Sequence, residues 1–292
     1  MTAVPRYAVF GHPIAHSLSP RLHAIFAAQT GATLEYTATD ATPEAFADVV
    51  RGFFDLGGRG ANVTLPHKAA AFALADVCTD PARRLGVANV LTLLPDGRIE
   101  ADSNDGAGML ADLRGRCDFD PRDCEALLLG AGGAARAIAF ALLDADVRKL
   151  VVANRTFERA QALAGALDDS ARTGVSRWEA LDQCDAFDLI VHATSAGVQH
   201  ATFALPTSLV HARTVAYDLS YGAAARPFVD WARGAGCAAA FDGLGMLVET
   251  AAASFERWHG VRPDLDAALR SLRDGSVHPP AAAPRPPSFR RG

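Results

Sequence analysis

Nine residues early in the chain, GANVTLPHK at 60–68, bring together side chains suited to handling a hydroxyl proton. Asn62 and Thr64 alternate with apolar Val63 and Leu65, so an extended segment turns both polar groups to one face. Pro66 stops that strand and His67-Lys68 open a helix, which sets an amine beside a small polar wall. An amine so placed can pass a proton to a substrate oxygen or take one from it. A solvated lysine at a helix start is the plainer reading, and this segment alone does not decide between them. A second set lies in YAVFGHPIAHSLSP, 7–20, which reads as a buried strand, a glycine turn, Ser17 and Ser19 about Leu18, and Pro20 opening a helix. Hydroxyls and unpaired N–H groups at a helix start suit a carboxylate, and plain capping by Ser19 is the alternative. The third set is EADSNDG, 100–106, with Asp102 and Asp105 in a turn-rich stretch. Acidic turn residues commonly cap or form Asx-turns. An aspartate that meets Lys68 across a cleft would instead form the charged pair of a proton-handling site.

The elements that must position these residues alternate between helices and short apolar strands, the pattern of an α/β protein. Strands are predicted at 6–10, 33–38, 60–64, 90–94, 126–130, 149–153, 188–192 and 214–218, with a loop at 115–124 leading into a second domain. There EALLLGAGGAAR, 125–136, is a strand, a glycine turn and an Ala-rich helix. Gly130, Gly132 and Ala135 keep the G-x-G-x-x-A spacing of a dinucleotide fingerprint, with Ala131, Gly133 and Ala134 between them. Gly130 allows the tight turn, Gly132 lets backbone approach a pyrophosphate, and the helix N-terminus receives the charge. The next strand, KLVVA at 149–153, ends in Asn154-Arg155-Thr156 with Arg159 one turn on, and no acid is there to hold a ribose 2′-hydroxyl. Two guanidinium groups suit a 2′-phosphate instead, so the cofactor expected is NADP. FDLIVHATSAG, 187–197, is a further buried strand whose small polar end, Thr194 and Ser195, suits a nicotinamide ribose. His192 within it is read as structural.

These segments resemble the shikimate dehydrogenase family. Its GxPIxHSxSP, NVTxPxK and DNTDG motifs correspond to GHPIAHSLSP, NVTLPHK and DSNDG, and the likeness runs on through GAGGAAR, NRT, HATSAG, YDLSY and DGLGMLVETAAASFERWHG, over residues 6–262. Several motifs in one order are far more specific than any one of them. The resemblance implies an α/β substrate domain, 1–104 with 240–275 returning to it, and a Rossmann-type NADP-binding domain, 105–239. It implies NADP-dependent interconversion of 3-dehydroshikimate and shikimate, in aromatic amino-acid and chorismate biosynthesis. Lys68 and Asp105 would be catalytic. Ser17, Ser19, Thr64 and Tyr221 would bind the substrate carboxylate, and Asn62 and Asn89 would face its hydroxyls. Gly243 and Met246 would join the cofactor contacts. Departures are confined: Thr250 stands where the family usually has Gln, VANV replaces AVNT with Val90 changed and Asn89 kept, Ser103-Asn104 replaces Asn-Thr, and His192 replaces Asn. Threonine is too short to give the glutamine contact to a ring hydroxyl directly, though a water could bridge. A paralogous dehydrogenase of quinate or another cyclohexene polyol, and a non-catalytic NADP-binding sensor, therefore stay open as alternatives.

Bulk properties fit this picture. The chain has 292 residues, half of them hydrophobic, and a net charge of −5, which gives no reason to seek nucleic acid. Five cysteines without metal spacing suggest buried thiols in a reducing compartment and no metal. No apolar run approaches the ~20 residues of a membrane span and the start lacks a signal-peptide pattern, so the expected setting is the cytoplasm, as monomer or homodimer. Residues 276–292, rich in Pro and Ala, are expected to form an unstructured tail.

Overall fold

The computed structural model describes residues 4–194 and 205–274; Ser195 and the Pro-rich tail lie outside the described residues. In chain order the elements are β1 (Arg6–Gly11), α1 (Ser19–Thr30), β2 (Glu35–Asp40), α2 (Phe46–Asp55), β3 (Gly58–Val63), α3 (Lys68–Leu74), β4 (Val77–Cys78), α4 (Asp80–Leu85), β5 (Val90–Leu93) and β6 (Ile99–Asp102). There follow α5 (Asp105–Arg114), β7 (Glu125–Leu129), α6 (Gly133–Asp144), β8 (Lys149–Asn154), α7 (Phe157–Ala166), β9 (Thr173–Arg177), β10 (Phe187–His192), β11 (Val210–Asp218), α8 (Arg226–Gly234), β12 (Ala239–Phe241), α9 (Leu244–His259) and α10 (Leu265–Arg273).

The strands divide into two sheets. The first, in order β2-β1-β3-β5-β6-β4, is mixed: β1 runs parallel to β2 and β3, while β5 is antiparallel to β3 and β6. The second, in order β12-β11-β10-β7-β8-β9, pairs in parallel throughout. Its central strands read as near-continuous apolar runs, EALLL and FDLIV, because helices cover both faces of a parallel sheet. The chain steps outward from β7 through β8 to β9, then returns to add β10 on the other side. This reversal leaves a crevice at the carboxyl ends of β7 and β10, where doubly wound sheets bind ligands.

Four strands escape the sequence reading: β4, β6, β9 and β12 are short, and IEAD and TGVSR are too polar to stand out. The stretch at 100–106 is likewise less turn-like than predicted. Asp102 ends β6 and Asp105 opens α5, because Ile99 and Ala101 alternate inward and hold the strand on its core.

The C-terminal helices return to the first half. Phe255 of α9 meets Phe26 of α1 edge to face at 5.5 Å, within a buried cluster with Leu22, Val248 and Ala252. Each such side chain contributes roughly 1.5–3 kcal/mol on burial. Helix α9 also lies close on α5. A Cβ on Gly108 would fall 2.4 Å from the Thr250 Cγ2, and one on Gly245 only 1.9 Å from the Asp112 carboxylate. Asp112 is buried and accepts from Arg116 at 2.5 and 2.7 Å and from the Tyr217 hydroxyl at 2.6 Å, so the crossing is closed by a satisfied charged network.

Candidate active site

A cavity of about 270 Å³ lies where the carboxyl ends of the two sheets face each other across α9. Its wall includes every residue predicted for catalysis or substrate binding: Ser17, Ser19, Asn62, Thr64, Lys68, Asn89, Asp105, Tyr221 and Thr250.

Lys68 reaches the cavity because Pro66 ends the β3 segment and α3 begins at the lysine itself. Its neighbour His67, by type a plausible base, is turned away. The His67 ring is buried, stacks on Phe46 at 4.3 Å and bonds the Ala41 carbonyl through Nε2 at 2.7 Å, and burial holds its pKa below the usual histidine range. The Lys68 ammonium donates to Asp105 Oδ2, with side chains 14% and 7% exposed. Asp105 sits in the first turn of α5, where the helix dipole favours a carboxylate. Its other oxygen accepts from Asn89 Nδ2 at 2.9 Å, and Asn89 Oδ1 in turn accepts the Asn104 backbone N–H at 2.9 Å. One carboxylate is thus fixed by two side-chain donors, and the ammonium has donors beyond the one given to Asp105.

Behind this trio runs a second polar chain. Tyr36 donates to Asn62 Oδ1 at 2.7 Å, Asn62 Nδ2 donates to Ser254 Oγ at 2.9 Å, and both Ser254 and Asn104 Nδ2 donate to the Thr250 carbonyl, at 2.9 and 3.0 Å. Sequence reasoning missed Tyr36, Ser254 and the part played by Asn104. Only the spacing of Ser254, one turn beyond Thr250, offered a signal.

On the opposite wall the roles of the two serines differ from the plain capping alternative. Leu18 occupies the cap position and Ser19 is already helical; it is Ser17 Oγ that accepts the Ser19 N–H, at 3.3 Å. Burial raises the Tyr221 hydroxyl above the usual phenol range, opposed by the backbone of Leu18. Thr250 meets the cavity, but its hydroxyl donates back to the Met246 carbonyl at 2.9 Å, in the turn before it.

The glycine turn borders the same space. Gly130 has φ +125°, and a Cβ there would meet the Ala193 carbonyl oxygen at 2.7 Å, so only glycine fits. At Gly132 a Cβ would meet nothing within 4 Å, leaving room above the start of α6. Ala135 is fully buried against the sheet, Ala131 packs partly buried on the same core, and Ala134 lines the cavity. A Cβ on Gly133 would come within 3.2 Å of Lys68 Cβ, so the glycine turn and the lysine helix touch. Gly243 and Met246 also line the cavity.

At the end of β8, Asn154 Nδ2 donates to the Thr156 carbonyl at 2.8 Å and closes the turn carrying Arg155. Arg155 and Arg159 are both exposed and make no ion pair among the described residues. They stand apart from the cavity, as do Asn154 and Thr156. His192, at the end of β10, is buried; Nδ1 pairs with Asp218 at 2.9 Å and Nε2 with the Thr194 hydroxyl at 2.6 Å. Asp218 also accepts the Ser220 N–H at 2.8 Å, so the histidine ties Thr194 to the loop that carries Tyr221. Among the described residues no group of three or more His, Cys, Asp or Glu converges, and no helix is long and apolar enough to cross a membrane. Of the five cysteines only Cys117 is buried, because the others lie at element ends rather than in the cores, and none is paired.

Similarity to known proteins follows the same division. Residues 9–91 match the shikimate dehydrogenase substrate binding domain, 115–219 the shikimate / quinate 5-dehydrogenase family and 243–273 the shikimate 5'-dehydrogenase C-terminal domain. A shikimate dehydrogenase (NADP(+)) of Xanthomonas euvesicatoria is 53% identical over 272 residues, covering 92% of this chain and 96% of the relative. The chain belongs to the shikimate dehydrogenase family. Solved members of similar shape include shikimate 5-dehydrogenase from Thermus thermophilus in complex with NADP(H) and shikimate, with TM-score 0.81, 33% identity and coverage of 94% of this chain and 100% of that one. An Ael1 enzyme from Pseudomonas putida aligns with TM-score 0.82 and 42% identity over 92% of this chain and 98% of its own.

Proposed function

We propose that the protein is an NADP-dependent shikimate dehydrogenase, interconverting 3-dehydroshikimate and shikimate on the way to chorismate and the aromatic amino acids. The observation that carries this reading is the Lys68–Asp105–Asn89 trio touching the dinucleotide turn through Gly133, inside a cavity also lined by Ser17, Ser19, Thr64 and Tyr221.

The expected division at 239/240 cuts β12, whose Ala240 and Phe241 pair with Ala216 and Tyr217 of the second sheet, so 1–104 with 242–275 would form the substrate domain and 105–241 the cofactor domain. The cofactor residues fit NADP. The room over Gly132 at the start of α6 suits a pyrophosphate, and the guanidinium groups of Arg155 and Arg159, without an ion pair among the described residues, suit a 2′-phosphate with Asn154 and Thr156. When bound, NADP supplies the hydride acceptor, or as NADPH the donor. The chain's own residues do the rest. Ser17, Ser19, Thr64 and Tyr221 bind the carboxylate and set the ring's orientation, and Asn62 and Asn89 accept or donate to its hydroxyls. In the reducing direction the carbonyl carbon gains the hydride and its oxygen takes a proton from the Lys68 ammonium; oxidation returns that proton to the amine. Asp105 holds the ammonium in place through both states, and Asn89 holds Asp105.

Thr250 leaves one narrower alternative, turnover of quinate or of a cyclohexene polyol, since its hydroxyl is already bonded to the Met246 carbonyl and does not stand in for the family's glutamine. A soluble, cytoplasmic monomer or homodimer is the setting we infer. NADP reduction measured with shikimate, quinate and related polyols tests the reading. We expect the highest kcat/KM with shikimate. A higher value for quinate would move the protein to the alternative, and no turnover of any polyol would reject both.

A further inference from the structure

A second cavity, of about 650 Å³, lies behind the wall of the first. It opens between β12, the start of α8 and the end of α10, and its lining carries four arginines, Arg116, Arg226, Arg233 and Arg273, against one acid, Asp242. Arg116 is neutralised by Asp112 and lies over the Phe241 ring at 5.2 Å. The other three are exposed and make no ion pair among the described residues. Arg226 and Arg233 are seven residues apart on α8 and so share one helix face, while Arg273 ends α10 and comes from the C-terminal return. With Arg116 accounted for, three cations face one carboxylate, a surplus of two positive charges around a concave space. Such arginine forks bind phosphoryl or carboxylate oxygens in pairs.

The two cavities share a wall. Tyr221 and Ala224 face the first, whereas Gly222, Ala223 and Ala225 face the second; Gly243 faces the first and Asp242 the second. The two segments are stitched together: Gly243 N–H donates to the Ser220 carbonyl at 2.8 Å, and Gly222 N–H to Asp242 Oδ2 at 3.4 Å. Asp242 therefore contributes both to the arginine basin and to the backbone that carries Tyr221.

We propose that this basin is a binding site for a small polyanion, with two or more negative charges on phosphoryl or carboxylate groups, and that its occupancy changes substrate affinity. An anion drawn to Arg226, Arg233 and Arg273 repels Asp242, loosens its hold on Gly222 and shifts the loop that presents Tyr221. The coupling to substrate rests on the activity proposed above; the binding does not.

The test is calorimetric titration of the full chain at constant ionic strength with inorganic pyrophosphate and, separately, citrate. NADP is kept saturating so that the glycine turn and the Arg155–Arg159 clamp are filled. The paired substitution Arg226→Ala and Arg273→Ala exchanges exposed side chains outside the active site. We expect saturable binding of at least one probe, weakened about 10-fold or more by the pair, a loss consistent with removing two charge-assisted contacts. The tighter probe identifies the oxygen chemistry preferred. We also expect that probe to change the KM for shikimate about twofold or more in the native protein and not in the variant, a modest coupling between sites. No saturable binding of either probe, or binding that the variant retains, overturns the site. Binding without a change in KM overturns the coupling. If shikimate is not turned over at all, the calorimetry still decides the site, and that failure belongs to the proposed activity.

Discussion

Two regions of the molecule handle charge in opposite ways. Around Lys68 the charges are enclosed: Asp105 is bound by the ammonium and by Asn89, and Asn89 by Asn104, before any substrate arrives. Around Arg155 and Arg159 the guanidinium groups stand exposed and make no ion pair among the described residues. The first region is organised by the protein alone, which is what the proposed proton-transfer role would require. The second presents exposed cations, whose proposed use depends on a ligand that supplies the opposite sign. Losses in the first should therefore appear in kcat, and losses in the second in cofactor affinity.

The largest expected effect tests that division directly. Lys68→Ala should lower kcat by roughly 10²–10⁴ with little change in KM, because a lost proton transfer is felt in the transition state. Asp105→Asn should also lower kcat by freeing the ammonium. A Lys68→Ala protein that keeps most of its turnover would remove the lysine from the chemistry.

Next is a cost of enclosure itself. His23 is fully buried under the substrate side, stacked on Tyr36 at 3.9 Å, with neither ring nitrogen in hydrogen-bonding geometry although Asn62 lies near. Burial, reinforced by His259, pushes its pKa down to about 3. The unfolded chain therefore binds the proton more readily. Stability from this histidine is full above pH 6.5 and is lost as pH falls toward 3. Between pH 7 and 5 the loss should be about 2 kcal/mol, read by chemical denaturation at both values. Burial also lowers the pKa of His67 and His259, which adds in the same direction. A protein equally stable at both pH values would show that His23 takes up its proton without unfolding.

Arg155→Ala sharpens the contrast from the open side. It should weaken NADP about 10-fold, about 1.4 kcal/mol, leaving NAD nearly unchanged and kcat intact. Equal losses for the two cofactors would show that no 2′-phosphate clamp exists.

Thr250→Gln is the smallest change, at the boundary of the enclosed region. The threonine hydroxyl already donates to Met246, so a longer amide should reach a substrate hydroxyl and lower the KM for shikimate several-fold, a gain of about 0.5–1.5 kcal/mol. Improvement on quinate instead would favour the alternative substrate. No response on either would mean that the side chain does not meet the substrate.

What could be read in the sequence divides along the same line. The signals of the open region are local: a strand, a glycine turn and two arginines lie within 35 residues, 125–159, and each element keeps its own periodicity. The enclosed region was legible only in part. Lys68, Asn89 and Asp105 stand within motifs, but Tyr36 and Ser254 reach Asn62 from elements far apart in the chain, and no spacing rule connects them. Ser17 rather than Ser19 supplies the oxygen at the start of α1 because the helix begins one residue earlier than its proline suggests. The short strands β4, β6, β9 and β12 were missed for the same reason, since pairing with neighbours and not composition makes them strands.

The central claim is that the enclosed lysine serves a hydride transfer between shikimate and the dinucleotide held by the open region. The most direct measurement uses shikimate deuterated at the carbon bearing the oxidised hydroxyl, with NADP and the native protein, followed by mass analysis of the cofactor. The account predicts one deuterium in the reduced cofactor and none released to solvent. Deuterium retained in shikimate, with no reduced cofactor formed, would contradict it.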